Sequence, residues 1–131
     1  MPQNSKNGSK IWYVADGWLP LQKEAKNAGL EGHEAIMILN CQGKNAKIMM
    51  DVYFENQDPV ENVPLKVKAK RIKCFRMDHP DEIGGVKLDR QTQYALRFRS
   101  NIEVIIQYGR MDVTQPNLAY IGMMGMPALE K

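Results

Sequence analysis

A chain of 131 residues with 44% apolar and 25% charged side chains has the balance of an ordinary globular domain, which excludes a disordered or fibrous chain. It is long enough to close one hydrophobic core without disulfides or a structural metal, and no stretch approaches the roughly 20 apolar residues of a spanning helix. The net charge of +3 is too small to require nucleic acid or another polyanion as partner.

The opening residues, Met1 to Lys10, lack the apolar core of a signal peptide, so the expected compartment is the cytoplasm. Residues 1–8 are expected to form a mobile tail. From Ile11 the side chains alternate. Trp12 and Val14 share one face, Ile11, Tyr13 and Ala15 the other, and Gly17 marks a turn before Trp18. Leu21 to Gly29 follows Pro20 and is the one helix-compatible segment, with Gly29 as its C-terminal cap. Glu34 to Asn40 alternates again. Cys41 to Asn45 looks like a hairpin loop, and Ala46, Ile48, Met50, Val52 and Phe54 form the buried side of the next strand.

Pro59 and Pro64 restrict pairing around Val60 to Val63, which predicts an edge or corner of the sheet. Leu65, Val67 and Ala69 alternate with Lys66, Lys68 and Lys70. Asp78 to Gly85 is rich in turn formers. Tyr94, Leu96 and Phe98 give another half-buried strand, and the run from Ser100 to Asp112 an apolar one that ends in Gln107, Arg110 and Asp112. The tail from Gly122 to Lys131, rich in Met and Gly, has no periodicity and is expected to be mobile unless a neighbouring subunit holds it. About seven or eight short strands at this spacing predict a single all-β domain, a β-sandwich or jelly roll with at most one short helix.

Motifs of nucleophilic, metal-dependent, phosphate-binding and dinucleotide-binding enzymes are absent. No enzyme activity, cofactor or metal is expected: His33 beside Glu34 lacks a third ligand, and Cys41 and Cys74 lack zinc spacing and read as reduced structural thiols. His79, among Asp78, Pro80 and Asp81, reads as part of a solvated loop. Lys66, Lys68, Lys70, Arg71, Lys73, Arg76, Arg97 and Arg99 would attract phosphates if neighbouring strands aligned them, or form the solvated face of a sheet whose lysines discourage edge-to-edge pairing.

Binding chemistry is easier to place. Trp12 reads as core, whereas Trp18 is the better candidate for a platform under a flat, hydroxyl-rich ligand such as a sugar. Glu34 and Asn40, at the two ends of one strand, are either cap and turn residues or ligand contacts. Gln107 offers both donor and acceptor to a hydroxyl, and Arg110 recognises an oxygen or a carboxylate. Asp112 shares the parity of Arg110 and is placed to pair with it. Gln107 has the opposite parity, so Gln107 and Arg110 line one pocket only if a bulge intervenes.

Two motifs carry more. The run Trp12-Tyr13-Val14-Ala15-Asp16-Gly17-Trp18-Leu19-Pro20, and Ser100-Asn101 followed by Gln107, Arg110 and Asp112, resemble the soluble sensory rhodopsin transducer family from about Gly8 to Tyr120. The resemblance implies an all-β sandwich, assembled as a homotetramer, that works as a non-enzymatic signalling module and binds a small molecule, carbohydrate-like ligands being the usual inference. The positions it marks for ligand binding are Trp12, Asp16, Glu34, Asn40, Arg71, Asn101, Gln107, Arg110 and Asp112, to which Trp18 is added here. Glu103 stands where proline is common after Ser-Asn in the family, and the Met-rich C-terminal end differs from the namesake's. Both departures argue against a membrane rhodopsin as partner. The alternative function is an interaction protein that relays a signal from a membrane photoreceptor to downstream partners, DNA among them.

Overall fold

The fold turns on one long strand. In the computed structural model, which describes residues 7–21, 30–114 and 118–128, the two alternating runs before and after Ser100 join into β6 (Gln93–Asp112), 20 residues long. Its length lets it serve two leaves of one antiparallel sheet. The first half of β6 pairs with β1 (Ser9–Trp18) on one side and β3 (Ala46–Phe54) on the other. The second half pairs with β2 (His33–Asn40) and with β7 (Ala119–Met124). Three further strands complete the leaves and, with β7, form their edges: β4 (Val60–Val67) beside β3, β5 (Arg71–Arg76) beside β2, and β8 (Met126–Pro127) beside β1.

Both leaves turn one face toward a single core. Trp12, Val14, Ile48, Met50, Leu96 and Phe98 from one leaf pack in the same cluster as Ile36, Ile38, Phe75, Ile106 and Tyr108 from the other. This is the expected sandwich-like arrangement, and the alternation of burial along β3 and β6 is the period-two pattern of the sequence. Among the described residues the only helical piece is a 3-10 turn at Pro80–Glu82, and no helix is long and apolar enough to cross a membrane. The helix expected from Leu21 to Gly29 lies, beyond Leu21, outside the described residues.

Three expectations need correction. The segment from Cys41 to Asn45 is not a hairpin loop, because β2 and β3 do not pair; it crosses from one leaf to the other. Asn40, fully buried at the end of β2, fastens this crossing: its amide donates to the carbonyls of Lys44 (2.8 Å), Val67 and Lys68 (both 3.3 Å), and its oxygen accepts from the Gln42 N–H at 2.9 Å. The C-terminal tail is also not free as far as Ala128. Gly122 to Met124 lie in β7, Gly125 donates its N–H to the Ile106 carbonyl, and Ala128 donates to that of Ile11. Backbone ladders need no side-chain period, which is why composition hid these strands. Finally, Cys74 is exposed on edge strand β5 rather than buried, and both cysteines are free thiols.

Replacing Asn40 with Ala strands several backbone groups at once, and the expected loss is about 1–3 kcal/mol by the cost of unsatisfied buried groups. Urea unfolding of Asn40→Ala checks this; a stability equal to the parent's would show that the crossing does not depend on the amide.

Candidate functional site

At the end of the sandwich where β1 finishes and β2 begins, the sequence buries a carboxylate. Glu34 shares the inward parity of Ile36 and Ile38 and has no exposed surface, so its charge must be met from within. Four donations meet it. The Trp18 N–H reaches both carboxylate oxygens, at 3.1 and 3.0 Å, the Tyr94 hydroxyl donates to Oε1, and Arg110 Nε donates to Oε2 at 2.8 Å. Glu34 and Arg110 are direct cross-strand neighbours on β2 and β6.

A bulge in β1 makes the arrangement possible. Val14 faces Leu96 while Gly17 faces Tyr94, so β1 carries one residue more than β6 between these pairs. Gly17 then lies under the Tyr94 ring, where a Cβ would stand only 2.4 Å from a ring carbon. Absence of a side chain at position 17 lets the ring settle and its hydroxyl reach Glu34. Gln93 secures the same bulge by donating to the Asp16 carboxylate and the Gly17 carbonyl, both at 3.0 Å.

Arg110 is the group presented outward. Its Nε also donates to the Tyr108 hydroxyl (3.0 Å), its Nη2 to the Asp16 carbonyl (3.3 Å), and its guanidinium carbon lies 5.7 Å from the Trp18 ring centre and 5.8 Å from that of Tyr108. Two rings and a buried carboxylate thus fix the plane of the guanidinium, a fifth of whose side chain remains exposed. Leu19, the residue after Trp18, lines a cavity of about 310 Å³ together with Met77, Asp78 and Arg90 among others. Asp78 there accepts two 2.7 Å bonds from Arg76, and Arg90 donates to the carbonyls of Pro20 and Gly32, tying the two chain segments that flank the site.

Burial pushes the Glu34 carboxyl above its ordinary value of 4.5, although the bonds from Tyr94, Trp18 and Arg110 pull the other way. Tyr94 is pushed well above its ordinary range by burial and by the charge of Glu34. Asp78 and Glu82 go the other way: burial raises both, but their partners, Arg76 foremost, hold them below the usual range.

The structure brings together Asp16, Trp18, Glu34 and Arg110, and disperses the other candidates. Trp12 is core, its indole N–H donating to the Ser9 and Val104 carbonyls. Asn40 is the crossing fastener at the far end of β2. Arg71 is exposed beyond it, pairing across β5 and β2 with Asn40. Asn101 accepts the Lys47 N–H (2.8 Å) at the entry of β3. Asp112 caps its own turn, accepting from the Thr114 N–H and hydroxyl; Arg110 pairs with Glu34 instead, because Glu34 is the buried carboxylate directly across the ladder. Register between β2 and β6 is unbroken from Met111 to Ile105, so no bulge rescues Gln107. It lies on the outer face, in a row with Cys74, Met37 and Met124. Tyr94 and Tyr108, read from the sequence only as strand residues, are members of the site, and so is Gln93, which the sequence did not single out. Their signal was a hydroxyl or amide on strand residues that antiparallel pairing returns to the Gly17 end.

The basic residues are likewise divided. Arg97 and Arg99 bond to Asp51, Arg76 to Asp78, while Lys66, Lys68, Arg71 and Lys73 surround a groove of about 300 Å³ with Ile72.

Comparison with known proteins adds the following. The profile of the family described as Anabaena sensory rhodopsin transducer matches residues 7–127. The crystal structure of Thermotoga maritima 1070 superposes with a TM-score of 0.80 at 24% identity, covering 93% of this chain and 97% of that one. The Anabaena sensory rhodopsin transducer superposes with a TM-score of 0.65 at 26% identity, covering 79% and 89%. No curated protein matches the chain.

Because the folded-state pKa of Glu34 is raised, its contribution to stability is fully present below pH 4.5 and is lost as pH rises through the higher value. Urea unfolding from pH 4.5 to neutrality should show the parent losing stability relative to Glu34→Gln; a difference that does not change with pH would contradict this.

Proposed function

Since the chain belongs to the sensory rhodopsin transducer family, we propose that it is a non-enzymatic signalling module that binds a small, hydroxyl-rich, carbohydrate-like molecule on the Trp18–Arg110 corner. The observation that carries this reading is the fixed guanidinium: Glu34 holds Arg110 in place against the Trp18 ring. An aromatic face packs the C–H side of a sugar ring, and a guanidinium edge donates to its hydroxyls or to a carboxylate. Asp16 and Gln93, already joined to each other at 3.0 Å, supply acceptor and donor at the rim. The cavity that Leu19 lines gives a ligand a place to seat its apolar edge against Leu19 and Met77.

The proposal includes a cytoplasmic homotetramer. Support comes from the outer face of the β5–β2–β6–β7 leaf, where Ile72 and Met124 are 64% and 61% exposed beside Tyr120; apolar surface of this extent suits coverage by another subunit. A second reading, coupling to a membrane photoreceptor, rests on the relative whose name records it as a sensory rhodopsin transducer.

Calorimetric titration with a panel of neutral and acidic sugars tests the ligand reading. Arg110→Ala and Trp18→Ala should each weaken the best binder by about tenfold or more, on the scale of a lost charged hydrogen bond or ring contact. Gln107→Ala should bind as the parent does. Equal affinity of all three variants, or no heat from any sugar with the parent, would refute it.

A further inference from the structure

A second built site lies on the outer face of the other leaf, remote in the sheet from the Glu34 corner. Asp51 falls on the side of β3 that alternation assigns to solvent, with Lys47, Met49 and Tyr53, yet its side chain is 0% exposed. Arg97 and Arg99 cover it. Arg97 reaches Oδ2 through Nε (3.0 Å) and Nη2 (2.9 Å), and Arg99 reaches Oδ1 through Nη2 (2.8 Å).

A third strand completes the array. Between the pairs Met50–Val63 and Val52–Val60, β4 carries an extra residue, and Asn62 in this bulge takes a left-handed φ of 63°. That turn points the Asn62 N–H at Asp51 Oδ1 (2.9 Å) and its side-chain oxygen at Arg99 Nη2 (2.6 Å). Bulges that re-aim a side chain concentrate next to binding sites. Two guanidiniums share one carboxylate, so one positive charge is left over, and their side chains remain 34% and 37% exposed. Arg99 Nε is buried without a hydrogen-bond partner among the described residues.

The surroundings are amphipathic. Cross-strand pairing sets Met126, Tyr13, Arg97 and Asp51 in one row, and Ile11, Arg99, Met49 and Pro64 in the next. Ile11, Tyr13, Met49 and Met126 are all exposed, and the cross-strand pair Lys47–Lys66 adds two further cations on the same face.

We propose that this face docks an acidic, extended segment of a partner protein, two carboxylates of one side-chain parity on Arg97 and Arg99 and apolar side chains of the same parity flanking them on Tyr13, Ile11 and Met49. Arginines spaced two residues apart on a strand stand roughly 6.5–7 Å from each other, the spacing of every second side chain in an extended peptide. Each presents the planar fork that takes a carboxylate. The apolar rows beside them favour a peptide over nucleic acid, which would leave Ile11 and Met49 uncovered.

Selection from a phage-displayed library of dodecapeptides tests the proposal. The retained sequences should carry two acidic residues two positions apart, with apolar residues of the same parity flanking them. Fluorescence anisotropy of a retained peptide should show affinity about tenfold or more weaker for Arg97→Gln and for Arg99→Gln, as for truncating one side of an interfacial charge pair, and unchanged for Gln107→Ala, exposed on the other leaf. Each arginine variant keeps the other arginine on Asp51. Should either fail to fold by thermal denaturation, Tyr13→Ser and Met49→Ser, which leave Asp51 paired, carry the same expectation of weakened binding. Retention of no sequence, or of sequences without acidic residues, would overturn it, as would affinities insensitive to these variants. So would duplex DNA binding, or self-association by light scattering, that the arginine substitutions abolish.

Discussion

One buried carboxylate organises the end of this sandwich. Glu34 ties β1, through the Trp18 N–H, to both halves of β6, through Tyr94 near its start and Arg110 near its end. Removing a carboxylate from water is expensive, and only a full set of donors makes it tolerable. That requirement explains the neighbourhood. The β1 bulge and the bare Gly17 bring Tyr94 within reach, and Arg110 loses its freedom to swing because Nε is already committed. The interaction that stabilises the corner is the one that fixes the group turned toward solvent.

The long β6 strand makes this economical in sequence. Because one strand runs through both leaves, a residue near its beginning and another near its end meet the same acidic side chain once β1 and β2 are laid alongside. The second carboxylate, Asp51, follows the same principle on the other side of the first leaf, with Arg97 and Arg99 from β6 and Asn62 from the β4 bulge. There burial pushes the carboxyl up, but the Asn62 N–H and the two arginines outweigh it and hold it below its usual range. Glu34, with one guanidinium rather than two, is held above. The two sites thus differ in electrostatic character: one a nearly neutral aromatic corner, the other a cationic shelf.

Parity carried most of what was legible in the sequence. It placed Trp12, Val14, Ile48, Phe98, Ile106 and Tyr108 inward, and it placed Gln107 opposite Arg110, as the register shows. It failed where partners rather than side-chain character decide burial. Asp51 reads as solvent-facing because nothing local announces that two arginines some 46 and 48 residues away will cover it. Strands β5, β7 and β8 were not legible because edge strands held by backbone pairing keep most side chains exposed. Asn40 and Asn101 were half legible: an amide at a strand end marks a place where backbone groups need partners, but only the fold tells whether those partners are backbone or ligand. The family resemblance marked Asp16, Glu34 and Arg110, which meet at one corner with Trp18, the residue singled out for its ring, and it also marked Asn40, Asn101 and Asp112, whose bonds go to backbone or neighbouring turn groups.

Glu34 locks Arg110 against Trp18. Nitrogen-15 NMR of the arginine Nε–H groups measures this directly. In the parent, the Arg110 Nε–H should give a resolved signal with slow solvent exchange, and in Glu34→Gln that protection should fall sharply while the Arg76 signal, paired with Asp78, stays as it was. Unchanged exchange at Arg110 in Glu34→Gln would mean that the carboxylate does not hold the guanidinium, and the account of the site would be wrong.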